Sequence, residues 1–539
     1  MIMHKKKTQT GPRYKILMIV SELAPFAQIS AYAQSVAHIS AALVALGHDV
    51  RLVMPRYYNI DRADMKKHPD PIGVFLGDTE QWCTLYHAVL PQTDIPVYLL
   101  DHEQFFGRNG LYGPRPDVAY DDNAQRFTFF CSAVFQLCRA LQWIPDIMHS
   151  HDWATGLVNV FLYTKEEDTD FSETASVFSV HNINQQGIFD NEDFVYTSLS
   201  KDDLYISKME KDGKLNFLHG ALAQADMITA ASAGYAKEIC TKELGAGLDI
   251  LLKSRSSDLA GVLDGIDYRL WNPAKDKFLL PISFSEKDLK NKIKAKKLVQ
   301  KELNLLQDAK LPIIIMHGDF SHKQRAFDLL FGDSNAKLYD ICEKLKVQFI
   351  ISGKLNPVYE EELTRLQDMR SNFRLYQDFD EAKLHLLFAG ADFLLLPNEH
   401  EPFCATQIYG LRYGTLPIVH NSGCMGETVV NFAADATGAT GFIFNEMTQA
   451  CVFDTVCTAV SLYYNNPKSI LAMQKQAMIQ RFGWEESAKN YLLVYQSALD
   501  RRQGRSDRTW GNDEENATED TRDHQMAPME QEPSEAPSD

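Results

Sequence analysis

Short apolar runs alternate with helical patterns through two long stretches of the chain. The runs are apolar throughout, which indicates parallel strands that are covered on both faces. Two successive sets of such strands predict an α/β protein with two doubly wound parallel-sheet domains. The first stretch includes KILMIV (15–20), DVRLVMP (49–55), IPDIMHSHD (144–152) and ASVFSVHN (175–182), and the second includes LPIIIMHGD (311–319), VQFIISG (347–353) and ADFLLLPN (391–398).

A lysine-rich helical segment, SEKDLKNKIKAKKLVQKELNL (285–305), lies between the two sets of strands. A chain of 539 residues is long enough for more than one domain. We expect a first domain over residues 14–273 and a second over 274–500, with a last helix at about 485–500 that packs back. Ligands of such folds bind beyond the carboxyl ends of the strands, so we expect the site in the cleft between the domains.

The composition narrows the class of protein. Apolar residues make up 45% and charged residues 23%, which is typical of a soluble globular chain. A net charge of −18 argues against nucleic-acid and anionic-membrane partners, because both need a basic surface. No apolar run approaches the roughly 20 residues of a membrane helix, and we expect no signal peptide. Nine cysteines that never fall as CxxC favour a reducing cytoplasm over disulfides or a zinc site.

The final segment, residues 501–539, has a different composition. It holds 11 acidic residues against 5 arginines, together with Pro, Ser, Gln and Asn and almost nothing apolar. Such a segment cannot bury enough surface to offset the entropy of ordering, so we expect a disordered acidic tail. The sequence leaves open whether the tail docks on a partner or only adds solubility, and it does not indicate an oligomeric state.

The turn after the first strand poses a problem. A nucleotide-binding βαβ unit normally carries glycines there, because the backbone must approach a phosphate closely. Here the turn reads PFAQISAYAQS (25–35) and contains no glycine. The strand and helix of the unit are therefore present, while the usual phosphate-binding turn between them is altered.

Several ordered stretches resemble the bacterial glycogen synthase and plant starch synthase family, from Tyr14 to Leu499. The resemblance implies a GT-B fold, in which two Rossmann-like domains face a central cleft. It also implies transfer of glucose from ADP-glucose to the non-reducing end of an α-1,4-glucan, with retention and without a metal or other cofactor. The stretches are LVALGHDVRLVMPRY, DHEQFFGRNGLYG, YDDNAQRFTFFCSAV, PDIMHSHDWATGLV, SVHNINQQGIF, GVLDGIDYRLWNPAKD, EPFCATQIYGLRYGTLPIV and RFGWEESAKNY.

Four residues at strand ends in the first domain match this family's site. His181 and Asn182 follow the strand ASVFSV and match the HN motif beside the donor sugar. Asp152 and Trp153 match the HDW motif, which implies a carboxylate near the transferred sugar and an indole face for a glucose ring of the acceptor. Taken alone, a strand-end aspartate can also be a helix cap. The resemblance implies catalytic roles for His181 and Asp152, donor binding by Asn182 and acceptor binding by Trp153.

The second domain contributes further candidates. Glu401 and Thr406 lie in EPFCATQ, and the resemblance implies that Glu401 is catalytic and binds the hydroxyls of the donor glucose, with Thr406 nearby. The family carries an Arg and a Lys in the turn after its first strand of this domain, where this chain reads HGDFSHKQRAFD. Lys323 or Arg325 is the candidate cation there, whereas Asp319 lies at or next to the arginine position and would repel a diphosphate.

The family's donor turns are altered at three other places. The KTGGL pattern, whose lysine meets the donor phosphates, is replaced by QISAY, so Gln28 stands in place of the lysine. The later TGGL turn is SGCM here and keeps a single glycine, Gly423, and the asparagine of NGID is Asp264. Losing one preorganised donor to developing charge typically costs on the order of a hundred- to a thousand-fold in rate.

Three hypotheses remain from the sequence. The first is a glycogen or starch synthase-like glucosyltransferase, with its diphosphate held by Lys323 or Arg325. The second is a catalytically inactive relative that keeps glucan binding or a regulatory role. The third is a GT-B transferase that uses another sugar nucleotide. The intact HDW, HN and EP motifs favour the first, and the altered donor turns favour the other two.

Overall fold

A computed structural model describes residues 12–504, apart from residues 116, 322–324, 333–336, 378–379, 400–402, 404 and 436. The strands of its first half alternate with helices, as the apolar runs predict. They are β1 (Lys15–Ile19), β2 (Asp49–Pro55), β3 (Lys66–Lys67), β4 (Ile72–Leu76), β5 (Thr79–Val89), β6 (Pro96–Asp101), β7 (Ile147–His151), β8 (Ala175–Val180), β9 (Ile188–Phe189), β10 (Glu210–Lys211), β11 (Lys214–Asn216), β12 (Met227–Ala230) and β13 (Leu259–Gly261).

The first sheet runs in the order β13-β12-β8-β7-β1-β2-β6-β5-β3, with β4 paired to β5. The neighbours from β13 to β6 are parallel, whereas β5 is antiparallel to β3, β4 and β6. A small three-stranded sheet, β10-β11-β9, lies apart from it. Every residue of β7 and β8 is buried, as expected for strands with helices on both faces.

The helices of the first half bury apolar stripes on this sheet. In the first of them, Val36, Ile39, Ser40 and Leu43 are buried at the helical spacing of three and four residues. The helices are α1 (Tyr32–Ala45), α2 (Glu103–Phe106), α3 (Asn123–Ala140), α4 (Leu157–Leu162), α5 (Lys201–Ser207), α6 (Phe217–Gln224), α7 (Ala233–Glu238) and α8 (Asp249–Ser254), with 3₁₀ turns at Trp153–Thr155, Asn191–Thr197 and Ser256–Asp258.

The second half forms a separate parallel sheet in the order β16-β15-β14-β17-β18-β19. Its strands are β14 (Ile313–Phe320), β15 (Gln348–Leu355), β16 (Phe373–Tyr376), β17 (Phe393–Leu396), β18 (Leu416–His420) and β19 (Phe442–Phe444). Its helices are α9 (Lys290–Glu302), α10 (Arg325–Phe331), α11 (Lys337–Lys344), α12 (Pro357–Met369), α13 (Glu381–Gly390), α14 (Ala405–Arg412), α15 (Gly423–Thr428), α16 (Gln449–Asn465) and α17 (Pro467–Ile479). The predicted α/β architecture of two doubly wound domains is confirmed.

The chain enters the core of the second domain before the first strand of that domain. Ile266 and Trp271 belong to the apolar cluster under the second sheet. The Trp271 indole stacks on Tyr409, with ring centroids 3.6 Å apart, and on His385 at 4.0 Å. The packing of the second domain therefore begins near Ile266, some residues ahead of the predicted division at 273/274.

The last helix, α18 (Trp484–Arg502), returns to the first domain. Its Tyr491 and Tyr495 are buried in the core of that domain, and Ser487 Oγ donates to the carbonyl of Leu263 at 2.7 Å. The predicted tail starts too early, because Arg501 and Arg502 are helical and Arg501 pairs with Asp258. The ion pair and the packing of the helix explain this difference, and residues 505–539 lie outside the described part of the chain.

Within the described ranges, the helices are either too short or too polar to span a lipid bilayer.

Candidate active site

The carboxyl ends of β7 and β8 bring two predicted residues together. The strands are parallel neighbours, so Asp152 after β7 and His181 after β8 meet at the same edge of the sheet. Asp152 Oδ1 accepts the backbone N–H of His181 at 2.8 Å and that of Asn182 at 3.3 Å. Asp152 also has a φ of 57°, a backbone conformation that is uncommon outside glycine and frequent at functional sites.

The carboxyl of Asp152 is buried. Burial raises the pKa of Asp152 to about 7, the backbone amides of His181 and Asn182 act in the opposite direction, and the nearby charge of Glu22 raises it further. A carboxyl with this pKa is divided between its neutral and its charged form near neutral pH. Such a group can both donate and accept hydrogen bonds, which suits a site that binds sugar hydroxyls.

A stack of three histidines extends from this edge into the core. His151 Nδ1 lies 3.1 Å from His181 Nε2, and the rings of His149 and His151 stack with centroids 4.2 Å apart. His149 is held by the hydroxyls of Tyr495 at 2.9 Å and Ser179 at 2.7 Å. Burial lowers the pKa of His149 to about 3 and that of His181 to about 4. The stack is therefore neutral at physiological pH and can present a polar nitrogen without carrying charge.

The ring of Tyr32 covers His181. The two rings stack with centroids 4.7 Å apart and an angle of 15° between planes, and only 5% of Tyr32 is exposed. The Tyr32 hydroxyl is hydrogen-bonded to Ser21 Oγ at 2.7 Å, and Ser21 Oγ lies 2.8 Å from the hydroxyl of Tyr112. Tyr32 is the last residue of QISAY, so the altered turn contributes a side chain that fills the space next to the candidate catalytic histidine.

A buried carboxylate occupies the amides of the same turn. Glu22 Oε2 accepts the backbone N–H groups of Ile29 at 2.6 Å and Ser30 at 2.8 Å, and it also accepts the Ser30 hydroxyl at 3.2 Å. Gln28, predicted to bind the donor, is exposed and accepts a long hydrogen bond of 3.5 Å from Gln34 Nε2. The amides of the turn are therefore occupied by a carboxyl group of the protein itself. Gln28, the residue predicted to bind the donor, lies at the surface.

Trp153 lies within an aromatic cluster. Only 8% of this residue is exposed, and its ring packs edge to face with Phe127 at 4.9 Å between centroids and against Tyr112 and Phe189 at 5.8 Å. The indole face predicted for acceptor binding is covered in this conformation. Its packing instead fixes the position of the segment that follows Asp152.

The second domain has a cavity of about 240 Å³ at the carboxyl ends of β14 and β17. Thr406, at the start of α14, lines it together with Asp319, Asn398 and Phe403. His317 also lines it, with its Nδ1 2.9 Å from Ser352 Oγ, and burial lowers the pKa of His317 to about 4. The cavity lies at the strand ends where ligands bind in this class of fold, and Asp319 lies on its wall.

Two helices meet across the cleft through a reciprocal contact. The Gly423 N–H at the start of α15 donates to Glu238 Oε1 at 2.6 Å, and the Gly234 N–H of α7 donates to Glu427 Oε2 at 2.9 Å. A Cβ on Gly234 would lie 2.1 Å from the carbonyl oxygen of Gly423, so the approach requires a glycine there. The backbone amide of Gly423, predicted to bind the donor, is thus occupied by a carboxylate of the first domain.

The remaining predicted residues are placed only in part. Asp264 is buried, and burial raises its pKa to about 6. The hydrogen bond from the Ser35 hydroxyl acts in the opposite direction. Glu401 and Lys323 lie outside the described residues. Arg325 is the first residue of α10, and its side chain also lies outside the described part. The roles predicted for these three residues stay predictions.

Sequence reasoning missed four participants in this region: Glu22, Tyr112, His149 and Glu238. One of them, His149, had a signal in the sequence. The alternation in HSHD places His149 and His151 on one face of β7, where the next strand end supplies His181. The contacts of Tyr112 and Glu238 join segments far apart in the chain, for which a single sequence carries no signal.

Comparisons with known proteins identify the family of the chain. A family model described as the starch synthase catalytic domain matches residues 15–254. A glycogen synthase from Treponema denticola is 40% identical over 488 residues, which cover 90% of this chain and 99% of that protein. Glycogen synthase 1 from Geobacter sulfurreducens is 35% identical over 499 residues, which cover 91% of this chain and 98% of that protein.

The fold is also similar to a solved structure, the catalytic domain of starch synthase IV from Arabidopsis thaliana bound to ADP and acarbose. The TM-score is 0.74 at 24% sequence identity, and the match covers 91% of this chain and 100% of that chain. This likeness confirms the predicted GT-B fold. With the identities above and the site at the strand ends, the chain belongs to the glycogen synthase and starch synthase family of glucosyltransferases.

Proposed function

We propose that the cleft transfers glucose from ADP-glucose to the non-reducing end of an α-1,4-glucan with retention. Membership of the family supports the reaction class. The single observation that carries the assignment to this cleft is the junction of Asp152 and His181, with its 2.8 Å hydrogen bond at adjacent strand ends. The scattered cysteines support a cytoplasmic location for this activity.

The roles follow from the charges of these groups. His181 is neutral, so it can bind a sugar hydroxyl or the sugar ring oxygen without competing for the diphosphate. Asp152 fixes the backbone that carries His181, and its carboxyl can change protonation state near neutral pH. A diphosphate leaving group needs stabilisation of its developing charge, for which Lys323 and Arg325 remain the proposed cations. Glu401 is the proposed ligand of the donor hydroxyls.

A second candidate function is glucan binding without turnover. The contact of Glu238 with the Gly423 amide favours it, because a diphosphate must displace that carboxylate before it can use the amide. Two further features favour glucan binding without turnover. The ring of Tyr32 covers His181, and an exposed glutamine, Gln28, stands where the resemblance implies a lysine. In this alternative the fold keeps its glucan surface and has lost the donor site.

A transfer assay with the purified full chain separates the candidates. The protein is given labelled ADP-glucose and maltooligosaccharide, and in parallel each ligand is titrated calorimetrically. Elongated, labelled glucan together with binding of ADP-glucose supports the first function. Binding of maltooligosaccharide without transfer supports the second. Transfer from UDP-glucose but not from ADP-glucose would contradict the proposed donor and indicate a different sugar nucleotide.

A further inference from the structure

A second cavity in the described part of the second domain lies away from the cleft. It has a volume of about 700 Å³ and lies at the amino ends of β14 and β17, next to Asp392, on the side of the sheet opposite to the carboxyl ends that face the first domain. It is called the lysine groove here. Its lysines come from separate segments of the chain, and they are Lys287, Lys290, Lys292, Lys296, Lys310 and Lys475.

Four of these lysines line the rim of the groove. Lys287, Lys290, Lys310 and Lys475 are exposed, and none of them has a carboxylate partner within the described part of the chain. Asp288 is the acidic residue of the rim. Such a concentration of positive charge is unusual in a chain of net charge −18. Like charges that converge on a concave surface raise the local potential and favour an anion there.

The floor of the groove is built from buried charges. Lys296 Nζ lies 2.7 Å from Asp392 Oδ2 and donates to the hydroxyl of Tyr463 at 2.9 Å. Lys292 Nζ donates to the carbonyl of Tyr413 at 2.9 Å and to Thr415 Oγ1 at 3.0 Å. Hydrogen bonds hold both amino groups in place, so the floor is rigid. Asp392 balances the charge of Lys296, and burial lowers the pKa of Lys292 to about 7, so the net positive charge of the groove comes mainly from the rim lysines.

The wall of the groove is apolar. Ile293, Tyr464 and Leu471 are large exposed side chains that line it, and Pro467 and Ile470 continue the same surface. A simple inorganic anion would use the lysines and leave this wall in contact with water. A ligand that carries both a phosphate and a ring would use the two features together, with the ring against Tyr464 and Leu471.

We propose that the lysine groove binds a phosphorylated small molecule, with its phosphate among the rim lysines and its ring on the tyrosine and leucine wall. The chemistry is shared by nucleotides and by sugar phosphates, and both would reach the groove without entering the cleft. The lysine groove and the cavity at the carboxyl ends lie on different faces of the second domain, so binding in the groove does not depend on the proposed transfer reaction.

The test is calorimetric titration of the full chain with ATP, a hexose 6-phosphate and inorganic phosphate. The double variant Lys290→Glu, Lys475→Glu should weaken binding of the preferred organic phosphate by about tenfold or more. The control variant Lys294→Glu, Lys297→Glu makes the same change of net charge on exposed residues of α9 that do not line the groove, and it should bind as the unaltered chain does.

A third variant separates the groove from the cleft. Thr406→Trp fills the cavity at the carboxyl ends of β14 and β17 and should leave binding in the lysine groove unchanged. Loss of binding in Thr406→Trp, with full binding in the Lys290, Lys475 variant, would overturn the proposal. Equal loss in the control pair of lysines, or binding of none of the three probes, would overturn it as well. Comparing the affinity for ATP with that for hexose 6-phosphate shows whether the groove binds a nucleotide or a sugar phosphate.

Discussion

The ring of Tyr32 lies flat on the imidazole of His181, with centroids 4.7 Å apart and planes within 15°. Tyr32 comes from the turn QISAY between β1 and α1, and His181 from the end of β8. The altered donor turn and the candidate catalytic histidine are therefore in direct contact. A substitution in the turn therefore changes the surroundings of His181 directly.

This contact predicts how substitutions of Tyr32 affect His181. Tyr32→Leu removes the ring, so water reaches the imidazole and the pKa of His181 rises from its depressed value of about 4 toward the ordinary histidine value. Tyr32→Phe keeps the ring, loses only the hydroxyl contact to Ser21 and should leave the pKa nearly unchanged. Histidine titration by NMR measures both variants, and equal values for Leu and Phe would show that the ring does not shield His181.

The second prediction concerns Asp152 and the pH dependence of stability. Its pKa is raised to about 7 in the folded chain, so the folded state binds more protons than the unfolded state between about pH 4 and pH 7. This carboxyl therefore destabilises the fold progressively as pH rises through that window. Asp152→Asn keeps the shape of the side chain without its charge. Between pH 5 and pH 8 the free energy of unfolding of this variant should therefore fall less than that of the unaltered chain.

Thermal unfolding at several pH values measures this difference. The melting temperature of Asp152→Asn relative to the unaltered chain should increase by a few degrees from pH 5 to pH 8. A difference that is constant over this range would mean that the carboxyl titrates at its ordinary pKa.

The third prediction concerns the contact between α7 and α15. Gly234→Ala places a Cβ 2.1 Å from the carbonyl oxygen of Gly423, so the two helices must separate and the amide of Gly423 loses Glu238. Small-angle scattering should show a larger radius of gyration as the domains move apart. Gly318→Ala is the control, since its Cβ would meet no atom closer than 3.7 Å. An unchanged radius in Gly234→Ala would mean that the contact does not hold the domains together.

The fourth prediction concerns the turn QISAY. Gln28→Lys combined with Ser30→Gly and Ala31→Gly gives this turn a cation and an unhindered backbone, so ADP should bind about tenfold more tightly if the turn contacts the donor as proposed. Gln34→Lys is the matched control, because it adds the same charge at the residue that contacts Gln28. Calorimetric titration measures both, and equal gains in the two variants would trace the effect to net charge alone.

The sequence predicts most of the framework and part of the site. Apolar runs and helical spacing indicate the parallel strands of the two sheets, because strands such as β7, β8 and β17 are buried on both faces. The position of Asp152 beside His181 also follows from the sequence, since adjacent parallel strands end at one edge. The division near Ile266 could not be predicted, because the stacking of Trp271 on Tyr409 and His385 joins residues more than a hundred positions apart.

The carboxyl groups that occupy backbone amides in these turns could not be predicted from the sequence either. Nothing in the order of residues indicates that Glu22 turns back onto Ile29 and Ser30, or that Glu238 crosses the cleft to Gly423. Both contacts depend on backbone N–H groups, which every residue except proline carries. Patterns of side chains therefore identify which turns are altered but not which groups occupy them.

Transfer of labelled glucose from ADP-glucose to maltooligosaccharide, compared between the unaltered chain and His181→Ala, is the most direct measurement. We predict elongation of the acceptor by the unaltered chain and a loss of about a hundredfold or more in His181→Ala, because the substitution removes a neutral polar group next to the reacting sugar. Circular dichroism checks that the variant is folded. Absence of transfer by the unaltered chain, or equal transfer by both proteins, would contradict the assignment of glucosyl transfer to this cleft.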